Sequence, residues 1–162
     1  MRSLELSILD ILTDDARTPV SQMAVMLGKS QAEVADTIAR RVKGKGKFIS
    51  AAVFPGPSMA RRMVRQDWGR WTLDAFFPMI YNGFYNEGAA WIGRSVKESV
   101  EAVGGRAKIY AGLMFPDIKG DFEACLDAVF DNGASGVSFF DGPDDAYLLR
   151  LKSYLQKRGF VY

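Results

Sequence analysis

Residues 74–87 read DAFFPMIYNGFYNE. The first half is a short apolar run with Pro78 inside it. A strand covered on both faces reads as an unbroken apolar run rather than an alternation, so residues 75–81 are predicted to form a buried strand of a parallel sheet. The run stops at a polar, ring-rich segment holding Tyr81, Asn82, Tyr85, Asn86 and Glu87. In parallel α/β folds, ligand-binding groups gather on the loops at the carboxyl ends of strands. Ring faces can stack on the C–H surfaces of a sugar, and amides can meet its hydroxyls. Tyr81, Asn82, Tyr85 and Asn86 are therefore candidate carbohydrate-binding residues. Phe84 in the same segment and Trp91 just after it are further candidate rings, with Trp91 expected inside at a helix start.

On either side, the same grammar repeats. Residues 48–54 (FISAAVF), 108–115 (KIYAGLMF) and 136–140 (GVSFF) are predicted strands. Residues 58–68, 88–103, 121–130 and 145–158 are predicted helices, punctuated by Pro55, Gly56, Pro57, Gly104, Gly105 and the turn Asp131-Asn132-Gly133. Four strand–helix units in a row imply a parallel sheet with right-handed crossovers. If sheet order follows chain order, residues 48–54 and 136–140 are its edges. No Gly-rich dinucleotide or phosphate-loop fingerprint opens any of the helices.

The first 47 residues use a different vocabulary. Every aromatic residue lies at or after Phe48. Leu4, Ile8, Leu9 and Ile11 give one apolar helical face over residues 3–13. A second helix starts at Thr18-Pro19, where proline's missing N–H costs least, and stops at Gly28. Ser30 with Glu33 three residues on is a capping box for a third helix. Two helices joined by a short Gly-containing turn make a helix-turn-helix. Two segments are thus expected, 1–47 and 48–162, joined at the basic run RRVKGKGK (residues 40–47). That run reads either as a solvated connector or as a phosphate-contacting wing.

Composition narrows the chemistry. The net charge of +2, with 48% hydrophobic and 25% charged residues, is ordinary for a soluble globular chain of 162 residues. There is no histidine and one cysteine, Cys125. This removes Ser–His, Cys–His and histidine acid/base chemistry. No metal or organic cofactor is expected. Cys125 falls on the apolar face of a predicted helix and reads as a small core residue. No apolar run reaches membrane-spanning length, and Glu5 and Asp10 interrupt the N-terminal apolar stretch, so a cytoplasmic location without membrane attachment is expected.

Two resemblances follow from motif strings. LDILTDDARTPVSQMAVMLGKSQAEVADTIAR, within residues 3–41, resembles the N-terminal DNA-binding domain of leucine-responsive/AsnC-type transcription regulators. That resemblance implies a recognition helix over residues 30–41, with Gln31, Thr37, Arg40 and Arg41 facing DNA. The near balance of acidic and basic residues through Arg41 is a poor footprint for DNA, and the alternative is a helical cap. VFPGPSMARRMVRQDWGRW, LDAFFPMIYNGFYNE, YAGLMFP and NGASGVSFFDGP, within residues 43–159, are similar to the C-terminal half of a glycoside hydrolase family with a (β/α)8 barrel. The resemblance implies that the strands correspond to the fifth to eighth of such a barrel, so the expected fold is a (βα)4 half-barrel behind a helix-turn-helix-like segment.

Glycoside hydrolysis uses two carboxyl groups flanking the scissile bond. By position, Asp117, Asp141 and Glu87, each following a predicted strand, are the candidate catalytic residues. Each is also a plausible helix-capping carboxylate. Neighbouring strands stand about 4.8 Å apart, close to the ~5–5.5 Å separation of a retaining pair, which favours Asp117 with Asp141. Asp74 opens its strand and belongs at the opposite end. In RQDWGRW (residues 65–71) an Arg–Asp pair is expected to hold a helix end. The predicted function is carbohydrate hydrolysis or binding. The alternative is a DNA-binding regulator whose βα part senses a ligand or dimerises. A half-barrel leaves open edges and a bare apolar face, so a homodimer is expected.

Overall fold

The four apolar runs of the second segment form one parallel sheet in chain order, β1-β2-β3-β4. The structure, a computed structural model, describes residues 3–160. Met1, Arg2, Val161 and Tyr162, the outermost residues of the two predicted segments, lie outside the described residues. The fold is mixed α/β, with eight α-helices among the described residues. The elements are α1 (Leu4–Asp14), α2 (Val20–Leu27), α3 (Gln31–Lys43), β1 (Ser50–Val53), α4 (Pro57–Val64), β2 (Ala75–Pro78), α5 (Ala89–Val103), β3 (Lys108–Met114), α6 (Phe115–Ile118), α7 (Phe122–Phe130), β4 (Gly136–Phe140) and α8 (Asp145–Lys157). Two 3-10 turns, Trp68–Arg70 and Asn82–Tyr85, sit between α4 and β2 and between β2 and α5.

Register follows from the ladder. Ser50 pairs with Ala75, Ala75 with Lys108, and Tyr110 with Gly136. Side chains alternate across a strand. Phe76, Ile80, Ile109, Ala111, Leu113 and Phe139 turn to one face, where they pack with α4, α5, α7 and α8. The crossover helices α4, α5 and α7 therefore lie on that face together with α8, which follows β4, as right-handed crossovers in a sheet of unbroken chain order require. The opposite face carries Phe77, Tyr110, Met114 and Phe140. Phe77 and Tyr110 stack at 5.1 Å between ring centroids. The Tyr110 ring lies directly over Gly136, where an added Cβ would come within 2.8 Å of it.

The strands are shorter than the apolar runs, for local reasons. β1 starts at Ser50 because the Ile49 N–H donates to the Asp74 carboxylate at 2.8 Å instead of to a strand, and Phe48 is left exposed. β2 ends at Pro78, whose missing N–H removes one ladder bond, although the Met79 N–H still donates to the Val53 carbonyl at 2.9 Å and the Ile80 N–H to the Gly112 carbonyl at 2.7 Å. One isolated bridge, Met79 to Gly112, follows. The helix predicted over 58–68 stops at Val64, with Arg65 in the left-handed region at φ 56°. The reversal lets Trp68 enter the core, fully buried, with its ring N–H donating to the Phe54 carbonyl at 3.1 Å. The expected Arg–Asp pairing is present, made to Asp67 by Arg61 and Arg70 rather than by Arg65.

α1–α3 close around a separate apolar cluster of Ile8, Met23, Ala24 and Val34. The capping box is formed: Ser30 Oγ accepts from the Glu33 N–H, and the Glu33 carboxylate accepts from the Ser30 N–H at 3.0 Å. Such a cap contributes about 1 kcal/mol. Gly28 ends α2 at φ 61°, a backbone region glycine enters without steric penalty. Two polar pins hold α3 to the sheet part. Thr72 Oγ donates to Asp36 at 2.7 Å, and Lys43 pairs with Asp74 at 3.0 Å. No described helix is long and apolar enough to cross a membrane.

Candidate functional site at the carboxyl ends of the strands

The segment following β2 folds back as a 3-10 turn and brings three rings together. Tyr81 meets Phe84 edge-on at 5.7 Å and Phe140, at the end of β4, at 5.8 Å. Phe84 is 72% exposed and Phe140 59% exposed. Two large rings held in solvent beside a third form an aromatic platform at the carboxyl end of the sheet. Partial burial raises the Tyr81 phenol above its ordinary pKa, so it stays protonated as a hydrogen-bond donor at neutral pH.

The other sequence-predicted residues divide between this platform and its support. Asp117 lies in the first turn of α6 and accepts the Gly83 N–H at 3.1 Å. It therefore clasps the platform loop from the β3 side. Asp141 directly follows β4 beside Phe140, with φ at 57°. It has no hydrogen bond or ion pair to another described residue. Glu87 forms an exposed ion pair with Arg94 at 3.6 Å, on α5. Tyr85 turns inward and packs on Trp91 at 5.1 Å, supporting the loop from below. Asn86 adopts the left-handed conformation that ends the 3-10 turn. Asn82 is 6% exposed; its Nδ2 donates to the Glu87 carbonyl at 3.0 Å, while its Oδ1 has no hydrogen-bond partner among the described residues.

Phe140 is the ring that sequence reading missed. The signal was present in GVSFF: strict alternation with Phe139 inside puts Phe140 on the opposite face. The polar loop residues around Tyr81 and Tyr85 point to those two rings, yet it is Phe84 that stands in solvent while Tyr85 packs on Trp91.

The residues expected to face DNA do not share one side of α3. At 100° per residue, Gln31 and Arg40 stand on opposite sides of the helix. Gln31 borders a cavity against the sheet part, with Trp71 and Leu73. Thr37, Arg40 and Arg41 line a second depression, with Gly44 and Lys45. Arg41 there pairs with Glu5 at 2.9 Å, and Arg40 donates to the Thr37 hydroxyl at 3.3 Å.

Cys125 is buried on α7, and burial together with the Asp121 charge pushes its thiol up to about 11. The thiolate, the reactive form, is therefore scarce at neutral pH. Among the described residues, no group of three or more His, Cys, Asp or Glu side chains is arranged to hold a metal ion. No family model, curated protein or solved structure matches the chain.

Proposed function

We propose that the chain is a carbohydrate-binding half of a (β/α)8 barrel of glycoside hydrolase type. The observation that carries this reading is the exposed ring cluster of Tyr81, Phe84 and Phe140 at the carboxyl ends of parallel strands. Aromatic faces held in solvent match the C–H faces of a pyranose, and binding would remove them from water. Asp141 beside the platform supplies an unengaged acceptor for sugar hydroxyls. In hydrolysis Asp141 would act with Asp117 as the carboxyl pair, one giving a proton to the leaving oxygen and the other attacking or activating water. Asp117 would first have to share its Gly83 hydrogen bond with the substrate, so the geometry favours binding over turnover. The half-buried sheet face with the Phe77–Tyr110 stack supports assembly with a second copy, which would bring a second set of strand-end carboxylates.

The test is calorimetric binding to a panel of oligosaccharides, with aryl-glycoside hydrolysis measured in parallel. Binding that is lost in Phe84→Ser/Phe140→Ser supports the platform. Hydrolysis that falls at least tenfold in both Asp117→Asn and Asp141→Asn assigns the pair. If no sugar binds at millimolar concentration, the reading is wrong.

A second reading is a DNA-binding helix-turn-helix. It is favoured by the α2–Gly28–α3 geometry and by Arg40, Arg41 and Lys45 bordering one depression. Phosphate contacts release counterions, so duplex affinity would fall steeply with salt, and Arg40→Ala/Arg41→Ala would flatten that slope. Absence of duplex binding at low salt ends this reading.

A further inference from the structure

At the opposite end of the sheet from the aromatic platform, a cavity of about 510 Å³ separates α2 and α3 from the strand starts. Its helical wall includes Val20, Ala35 and Ile38. Its other wall is Ile49, just before β1, with Trp71 and Leu73, just before β2. The volume falls in the range of small-molecule sites, which are mostly apolar with a few polar groups setting orientation. The polar contacts Asp36–Thr72 and Lys43–Asp74 link the two walls.

Charge at the cavity is asymmetric. Asp67 lines it but is already neutralised by Arg61 at 3.2 Å and Arg70 at 3.3 Å. Arg65 lines it too, and its guanidinium has no hydrogen bond or ion pair to another described residue. Arg65 is also a non-glycine residue at φ 56°, a conformation that glycine would adopt without strain. Arg65 is exposed, so its cation borders the apolar space from the solvent side, which matches a ligand with an apolar body and one anionic end.

We propose that this cavity binds a small amphipathic monoanion, an aryl or branched alkyl carboxylate, with its apolar body between Ile38 and Trp71 and its carboxylate on Arg65. Because the site joins the helical and βα parts, its occupation would tie them together more firmly. It is independent of the carbohydrate reading, which concerns the other end of the strands.

The experiment uses 2-naphthoate and its neutral amide, titrated into the full chain and followed through the indole N–H resonances in nitrogen-15 NMR spectra. Trp71→Phe assigns the reporter signal. The expected result is that naphthoate shifts the Trp71 resonance, leaves those of buried Trp68 and Trp91 in place, and binds at least tenfold more tightly than the amide. Arg65→Gly should bring carboxylate affinity down to that of the amide while leaving the thermal midpoint unchanged or higher, since glycine relieves the left-handed backbone. Ala35→Phe, which fills the cavity, should abolish both. Equal affinity for acid and amide, a preference that survives Arg65→Gly, or no shift at Trp71 at millimolar ligand would each overturn the proposal.

Discussion

The Gly83 N–H donates to the Asp117 carboxylate at 3.1 Å, and the two groups leave no room between them. A Cβ at Gly83 would lie 2.4 Å from the Asp117 Cγ. The platform loop is therefore clasped to α6 through a position that accepts only glycine while Asp117 keeps its place. Gly83→Ala should destabilise the chain by about 1–3 kcal/mol through overpacking, and should weaken sugar binding. Asp117→Ala removes the obstacle, so the double variant should be less destabilised than the two single effects added together. Denaturant midpoints of the four proteins test this; strict additivity would mean that the two residues do not meet in solution.

Trp68 anchors the junction between β1, α4 and β2. Its ring sits 5.0 Å from that of Phe76, and its N–H donates to the part-buried Phe54 carbonyl just past β1. Trp68→Ala should cost about 3–5 kcal/mol. Trp68→Phe keeps most of the apolar volume but leaves the Phe54 carbonyl without its donor, at about 1–3 kcal/mol. Equilibrium urea unfolding distinguishes the two, and a cost below ~1 kcal/mol for Trp68→Ala would contradict the packing described.

Acid should weaken the junction between the two parts before it affects the sheet core. Asp74 is held below its ordinary 3.8 by the hydrogen bond from the Ile49 N–H and by Lys43. Glu33 is held below 4.5 by the Ser30 N–H and hydroxyl and by Lys29. Both folded-state pKa values lie below the unfolded ones, so the unfolded chain binds more protons in that window and stability rises with pH there. The contribution is complete above about pH 5 and is lost as pH falls through the folded values. Stability measured from pH 6 to pH 2 should fall less steeply in Asp74→Asn than in the parent chain. Parallel curves would exclude Asp74 as a source of the acid sensitivity.

The sheet face bearing Phe77, Tyr110 and Met114 should govern self-association. Burying it against a second copy removes aromatic surface from water, at about 25 cal/mol per Å². Sedimentation at micromolar concentration should report a dimer, and Tyr110→Lys should convert it to a folded monomer. A parent chain that stays monomeric would show that this face tolerates water.

Local chemistry made much of the chain readable. The capping box at Ser30 and Glu33, the Gly28 stop and the strand–helix alternation after Phe48 each depend on residues within a turn or a strand length of one another. From these the sequence alone determined the parallel α/β character, the approximate elements and the expectation that the loop after β2 carries exposed rings. Tertiary structure decided the rest. The helix predicted through Trp68 breaks at Val64 because burying that indole against Phe76 and the Phe54 carbonyl outweighs local helical preference and the left-handed backbone at Arg65. Asp117 serves as a clasp rather than a free strand-end carboxylate because Gly83, distant in sequence, arrives beside it through the pairing of β2 with β3. Phe140 joins Tyr81 across the width of β3, and Arg65 comes to border a cavity whose other wall is α3. Such meetings depend on chain segments converging in space, and residue type and spacing carry no record of that convergence.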